Sequence, residues 1–240
     1  MARKVKIDNS TLKRIERKEA KRQKETKQKR KKYLIVCEGE KTEPNYFDSL
    51  KKSLPRGVLN VVDFKIIGEG FNTESLVKRA IQLRNDWEKE SNNEIDKLWV
   101  VFDKDSFSPL IFNNAIQLCR NTDRTEAAWS NEAFELWYLL HFEFYNTAMS
   151  RSSYSNKIQK CFRDKGLTTF NYSKNSTEMF KLLSDHGDIN LAIKRAKRLE
   201  ASYSGQNEFA NQNPCTTVYK LVVELFNLEN LLKTNDDNVV

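Results

Sequence analysis

Hydrophobic positions along the chain fall into two regimes. Between residues 33 and 145, YLIVC (33–37), VLNVVDFKII (58–67), KLWVVF (97–102) and EAAW (126–129) are short, largely continuous apolar runs, as expected of strands buried on both faces. The stretches between them carry apolar residues at helical spacing. Tyr46, Phe47 and Leu50 follow Thr42, read as an N-cap, and Pro44; Leu76, Val77, Ala80, Ile81 and Leu83 follow Thr73; Pro109–Leu118 and Asn131–Phe144 complete the series. Strands alternating with helices predict βαβ units, right-handed crossovers and a parallel sheet covered on both sides. The expectation is one α/β domain over 33–145.

Beyond Asn146 the strand signal stops. Residues 152–162, 176–183, 189–202 and 216–232 read as helices, divided by Gly166, Gly187 and the 205–214 loop. Residues 146–240 are therefore expected to form a helical subdomain with a frayed end, its last helix laying Val218, Leu221, Val222, Leu225 and Phe226 back on the sheet.

The formal charge of +8 on 240 residues conceals an asymmetry. Residues 1–32 hold 15 Lys+Arg and 4 Asp+Glu (+11), while the remaining 208 hold 26 and 29 (−3). With only Leu12, Ile15 and Ala20 as an apolar stripe from Thr11 to Lys32, this segment is expected to be a basic arm, helical or flexible, suited to phosphate backbones or simply solvated. Lys29, Arg30, Lys31 and Lys32 at its end, with Lys41 and Lys104, are the candidate nucleic-acid contacts. No apolar run approaches the roughly 20 residues needed to span a bilayer, and no apolar core follows the basic start as in a secretory signal. A cytoplasmic protein without a membrane partner is the expectation. Cys37, Cys119, Cys161 and Cys215 lack metal-binding or disulfide spacing.

Ligands of parallel α/β sheets bind beyond the carboxyl ends of the strands. There the chain places Glu38, with Glu40 and Glu43; then Asp103-Lys104-Asp105; then Ser130-Asn131-Glu132, with Glu135. If strands one, three and four are neighbours, these acids meet, and a carboxylate cluster calls for a cation; an all-oxygen set suits Mg²⁺ or Mn²⁺. WVVFDKD also has the form of a nucleotide-binding acid strand, but GxxxxGK[ST] is absent, and GEGF (68–71) lacks the third glycine of a dinucleotide loop. Phe134, Trp137, Tyr138 and His141 share one helical face, a spacing that favours core over base stacking.

An apolar strand ending in Glu-Gly, a βα unit, and a strand ending in Asp-x-Asp together resemble Toprim domains, the catalytic module of topoisomerases, primases and OLD-type nucleases. More narrowly, VCEGEKTEPNYF (36–47), VFDKD (101–105), SNEAFELWYLLHF (130–142) and NPCTTVYKLVVEL (213–225) resemble the RloB family, Toprim-like proteins associated with restriction loci and abortive phage resistance. The resemblance implies a Toprim-like (Rossmann-like) parallel sheet with a C-terminal helical extension. It implies Glu38 as general acid or base and also a metal residue, Asp103 and Asp105 as catalytic Mg²⁺ ligands, Glu43 and Glu135 as further metal contacts, and an ATPase partner encoded nearby.

The function expected is metal-dependent hydrolysis of RNA, including tRNA, or DNA in anti-phage defence. The alternative is a catalytically silent nucleic-acid-binding or regulatory subunit; a homo-oligomer is left open. Convergence of Glu38, Asp103 and Asp105 on one cation position would favour the nuclease. Carboxylates splayed apart or bonded to arginines would sink the nuclease reading.

Overall fold

The computed structural model describes residues 10, 13–14, 16–18, 30–70 and 73–230. Five strands form one sheet in the order β2-β1-β3-β4-β5. β1 (Lys31–Cys37), β2 (Val62–Gly68), β3 (Lys97–Asp103) and β4 (Thr125–Asn131) are parallel, and β5 (Cys215–Thr216) closes the edge antiparallel to β4. β1 lies between β2 and β3, and β3 between β1 and β4, so the acid-bearing ends of β1, β3 and β4 are contiguous.

Alternate side chains feed two cores. Tyr33, Ile35, Cys37, Trp99 and Val101 face one, packed by α1 (Thr42–Ser53), α2 (Arg56–Val61), α5 (Glu135–Leu139), α6 (Arg151–Asp164), α7 (Met179–His186), α8 (Ile189–Ser202) and α9 (Val218–Asn227). Leu34, Val36, Leu98, Val100 and Phe102 face the other, packed by α3 (Thr73–Ser91) and α4 (Pro109–Arg120). Burial on both faces is why the strands read as continuous apolar runs rather than alternating ones. Val218, Leu221, Val222 and Leu225 share the first core with β1, as the apolar stripe of that helix predicts.

Three elements differ from the sequence expectation. Residues 58–61, read as strand, belong to α2: Pro55 presents its carbonyl to the amides of Val58 (2.9 Å) and Leu59 (3.3 Å), and a helical turn buries Val58 completely. The helix expected over 131–144 is confined to Glu135–Leu139, because Asn131 remains in β4 and the chain turns at His141, whose amide donates to Tyr138 O. Thr216, read as the start of a helix, and Cys215 before it pair with Ser130 and Asn131 as β5. Lys41, not Thr42, precedes the first helical residue of α1. Among the described residues no helix is long and apolar enough to cross a membrane.

Candidate functional site

The backbone ladder continues past the strand ends and fixes the acidic segments. Glu38 N–H donates to Val101 O (2.8 Å), and Gly70 N–H donates to Glu38 O (2.9 Å). Lys104 N–H donates to Ser130 O (2.8 Å) and Asp105 N–H to Glu132 O (3.1 Å). Asp105 sits at φ 38°, a left-handed conformation that Asp tolerates better than most side chains. Two glycines make the crowding feasible. A Cβ at Gly39 would lie 2.1 Å from Glu43 Oε2, and one at Gly68 would lie 2.6 Å from Gly39 O.

Glu38, Glu43, Asp103 and Glu135 thus gather at one edge of the sheet. Glu38 Oε2 accepts from Asp103 N–H at 3.0 Å. Glu43, Asp103 and Glu135 are buried, at 6%, 4% and 2% exposure. Burial lifts the Glu38 pKa to about 7, against the Asp103 N–H, which lowers it; Glu43 and Asp105 raise it further. Burial likewise raises Asp103 well above the carboxylate range, reinforced by Glu43 and Glu135 and opposed by Arg151. Glu43 is raised by burial and by Glu135.

The counter-charges come from the C-terminal part of the chain. Arg151, first residue of α6, forks onto both aspartates: Nη2 reaches Asp103 Oδ2 and Nη1 reaches Asp105 Oδ2, each at 2.7 Å. Burial opposes the arginine's charge, but Asp103, Asp105 and Glu135 outweigh it and raise its pKa. Tyr172 O–H donates to Glu135 Oε1 (3.0 Å), with Lys174 Nζ 3.9 Å from the same oxygen. Asn45 on α1 donates to Asn175 O (3.0 Å) and fastens that loop over the site. Sequence reasoning missed Arg151, Tyr172 and Lys174. One signal was available for Arg151: a cation in the first turn of a helix opposes the helix dipole unless an anion waits there.

Of the expected basic contacts, Lys41 and Lys31 are exposed. Lys104 Nζ folds back onto Asp105 O (3.2 Å) and Phe107 O. Arg30 caps the end of α2 through Leu59 O (2.7 Å) and Val62 O (3.1 Å) and pairs with Asp63 (2.8 Å). Lys32 is buried in β1, its ammonium 5.5 Å from the Trp87 ring centroid. Lys29 and most of residues 1–29 lie outside the described residues. Phe134, Trp137, Tyr138 and His141 are all core.

A protein-family model, RloB-like protein, matches residues 33–225. The chain belongs to the RloB-like family. No curated protein and no solved structure matches it. The matched region of this RloB-like chain takes in the whole acidic cluster and the Arg151, Tyr172 and Lys174 side chains that contact it.

A cluster of carboxylates this dense calls for a cation, and an all-oxygen donor set suits a divalent one. In favour, among the described residues Glu38, Glu43, Asp103, Asp105 and Glu135 form ion pairs only with Arg151 and Lys174, and burial, reinforced by the neighbouring acids, raises the pKa values of Glu38, Glu43 and Asp103. Buried Glu43 Oε2, Arg151 Nε and Tyr154 Oη, three polar atoms around the cluster, also lack hydrogen-bond partners. Against it, Arg151 holds both aspartates, and among the described residues no group of three or more His, Cys, Asp or Glu is placed to hold a metal ion. In chemistry and charge the residues suit Mg²⁺ or Mn²⁺; in position Asp103 and Asp105 are set on Arg151, the arginine pairing that tells against a metal-dependent nuclease.

Proposed function

We propose that this RloB-like protein is a metal-dependent nuclease acting on nucleic acid phosphodiesters at the acidic cluster. The observation that carries the reading is the charge deficit: buried carboxylates from three neighbouring strand ends, with Glu43 Oε2 unpaired, face too few cations. A divalent ion held by Asp103, Asp105 and Glu43, with Glu135 beside them, would supply Lewis-acid polarisation of a phosphoryl oxygen. Glu38 is suited to proton transfer, since a carboxyl with a pKa of about 7 is present in both forms near neutrality. Its orientation is fixed by the Asp103 amide. Arg151, held on the aspartates until they are otherwise engaged, is a bidentate donor of the kind that binds phosphate oxygens. A role in anti-phage defence, under restraint by an ATPase partner, follows from the family resemblance rather than from the site.

A second reading has its own support. The Arg151 fork is the arrangement expected of a silent subunit, in which the cleft is neutralised from within and the protein binds nucleic acid or a partner without cutting. Incubation with labelled total RNA, single-stranded DNA or plasmid and Mg²⁺ or Mn²⁺, alone and with the ATPase and nucleotide, separates the two. Metal-dependent cleavage abolished by Asp103→Ala and by Glu38→Ala is the expected result. No cleavage under any of these conditions would leave the silent subunit.

A further inference from the structure

The sequence beyond residue 32 is itself electrostatically divided. Residues 150–177 hold six basic side chains, Arg151, Lys157, Lys160, Arg163, Lys165 and Lys174, against one acid, Asp164, for a net +5. The remainder of residues 33–240 holds 20 Lys+Arg and 28 Asp+Glu, or −8. This basic segment is anchored in the acidic cluster at both ends: Arg151 on Asp103 and Asp105, Tyr172 and Lys174 at Glu135. Between the anchors, α6 runs 14 residues, about 21 Å at helical rise, and the returning loop is tied to it by Arg163, which donates to Phe170 O and Asn171 Oδ1 (both 3.1 Å). Lys160, Arg163, Lys165 and Lys174 are exposed, and so are the hydroxyl and amide side chains of Ser152, Asn156, Thr168, Thr169, Asn171 and Asn175.

We infer that residues 150–177 form the surface that receives the sugar-phosphate backbone of a nucleic acid beside the acidic cluster. The inference rests on the phosphodiester reading of that cluster, and it meets a physical difficulty of that reading: carboxylates repel the polyanion they act on, so a neighbouring surface must bring it in. Clustered cations interleaved with hydroxyls and amides are the groups that contact phosphate and sugar oxygens. A protein partner would require apolar anchors. The exposed large hydrophobic residues among the described positions are Leu110, Ile111 and Leu191, and all lie outside this segment.

The test is binding of a fluorescein-labelled single-stranded RNA and a labelled DNA duplex, followed by anisotropy in EDTA across a salt series. Three proteins are compared: the unmodified chain, K160Q/K165Q/K174Q, and the charge-matched control K194Q/K197Q/R198Q on α8. All six replaced side chains are exposed. Loss of three phosphate contacts should reduce the slope of log K against log salt by about 2 for the single strand and somewhat more for the duplex, with the control slope unchanged. No binding by the unmodified chain, no change in the segment variant, or an equal change in both variants would overturn the inference. Turnover plays no part in this readout. A protein that binds through the segment and never cuts loses the nuclease reading alone, while one that cuts with unaltered binding in K160Q/K165Q/K174Q loses the surface alone.

Discussion

Replacing Arg151 with alanine removes two charge-assisted hydrogen bonds of 2.7 Å from the acidic cluster. The Asp103 half carries most of the effect, because that side chain is 6% exposed whereas those of Asp105 and Arg151 are 37% and 34% exposed. A charge-assisted bond to the buried carboxylate contributes about 1.5–3 kcal/mol, and the outer, solvent-screened pair at most about 1 kcal/mol. The expected loss at about pH 8 is therefore roughly 2–4 kcal/mol, or about 5–12 °C in Tm for a folded body of this size. The pH dependence has a definite sign. Burial, Glu43 and Glu135 already raise the Asp103 pKa, and removing Arg151 raises it further. An acid with a folded pKa above its unfolded value binds more protons when folded, so its penalty is present above the folded pKa and relieved as pH falls through it. The Tm gap between wild type and Arg151→Ala, followed by circular dichroism, should narrow as pH is lowered from alkaline towards acid and Asp103 takes up its proton. A gap that stays constant or widens towards acid would refute the claim that Arg151 neutralises a buried, charge-starved aspartate.

Other consequences follow from neighbouring geometry. A Cβ at Gly68 would press on backbone, 2.6 Å from Gly39 O and 2.7 Å from Glu40 Cα, so Gly68→Ala should lower urea stability by about 1–3 kcal/mol; an unchanged midpoint would contradict the close approach. His141 is fully buried and its pKa is lowered to about 4 by burial. The unfolded chain protonates first, so about 3 kcal/mol of stability should disappear as pH falls from about 6.5 to about 4, and His141→Leu should flatten that limb in acid-unfolding curves. In the nuclease reading, the pH–rate profile should show a limb near the Glu38 pKa of about 7 that Glu38→Gln removes along with most of the rate.

The legible parts of this chain were those governed by burial. YLIVC and KLWVVF announced themselves as strands because both faces of β1 and β3 are covered, and an acid directly after such a run can only sit at the sheet's carboxyl edge. That logic made the meeting of Glu38, Glu43, Asp103 and Glu135 conditional on strands one, three and four being neighbours, and the sheet order β2-β1-β3-β4-β5 meets that condition. The β2 boundary was obscured because Val58 and Val61 suit a strand by composition, while the preceding Pro55 and the packing of Val58 make the turn helical. β5 was invisible because two residues have no periodicity, and its pairing with Ser130 and Asn131 is fixed from 84 to 86 residues away in sequence. Arg151, Tyr172 and Lys174 were hidden for a related reason. They come from a Ser- and Asn-rich region with little apolar pattern, and tertiary contacts alone carry them to the cluster.

In the reading proposed above, Asp103 and Asp105 form a cation site shared between Arg151 and a divalent ion. Mn²⁺ titration of the full chain, with free ion read by electron paramagnetic resonance, addresses it without assuming a substrate. The account predicts saturable Mn²⁺ binding by wild type, its loss in Asp103→Asn/Asp105→Asn, and tighter binding in Arg151→Ala, where the competing cation is gone. Binding that is absent from all three proteins, or equal in all three, would contradict it.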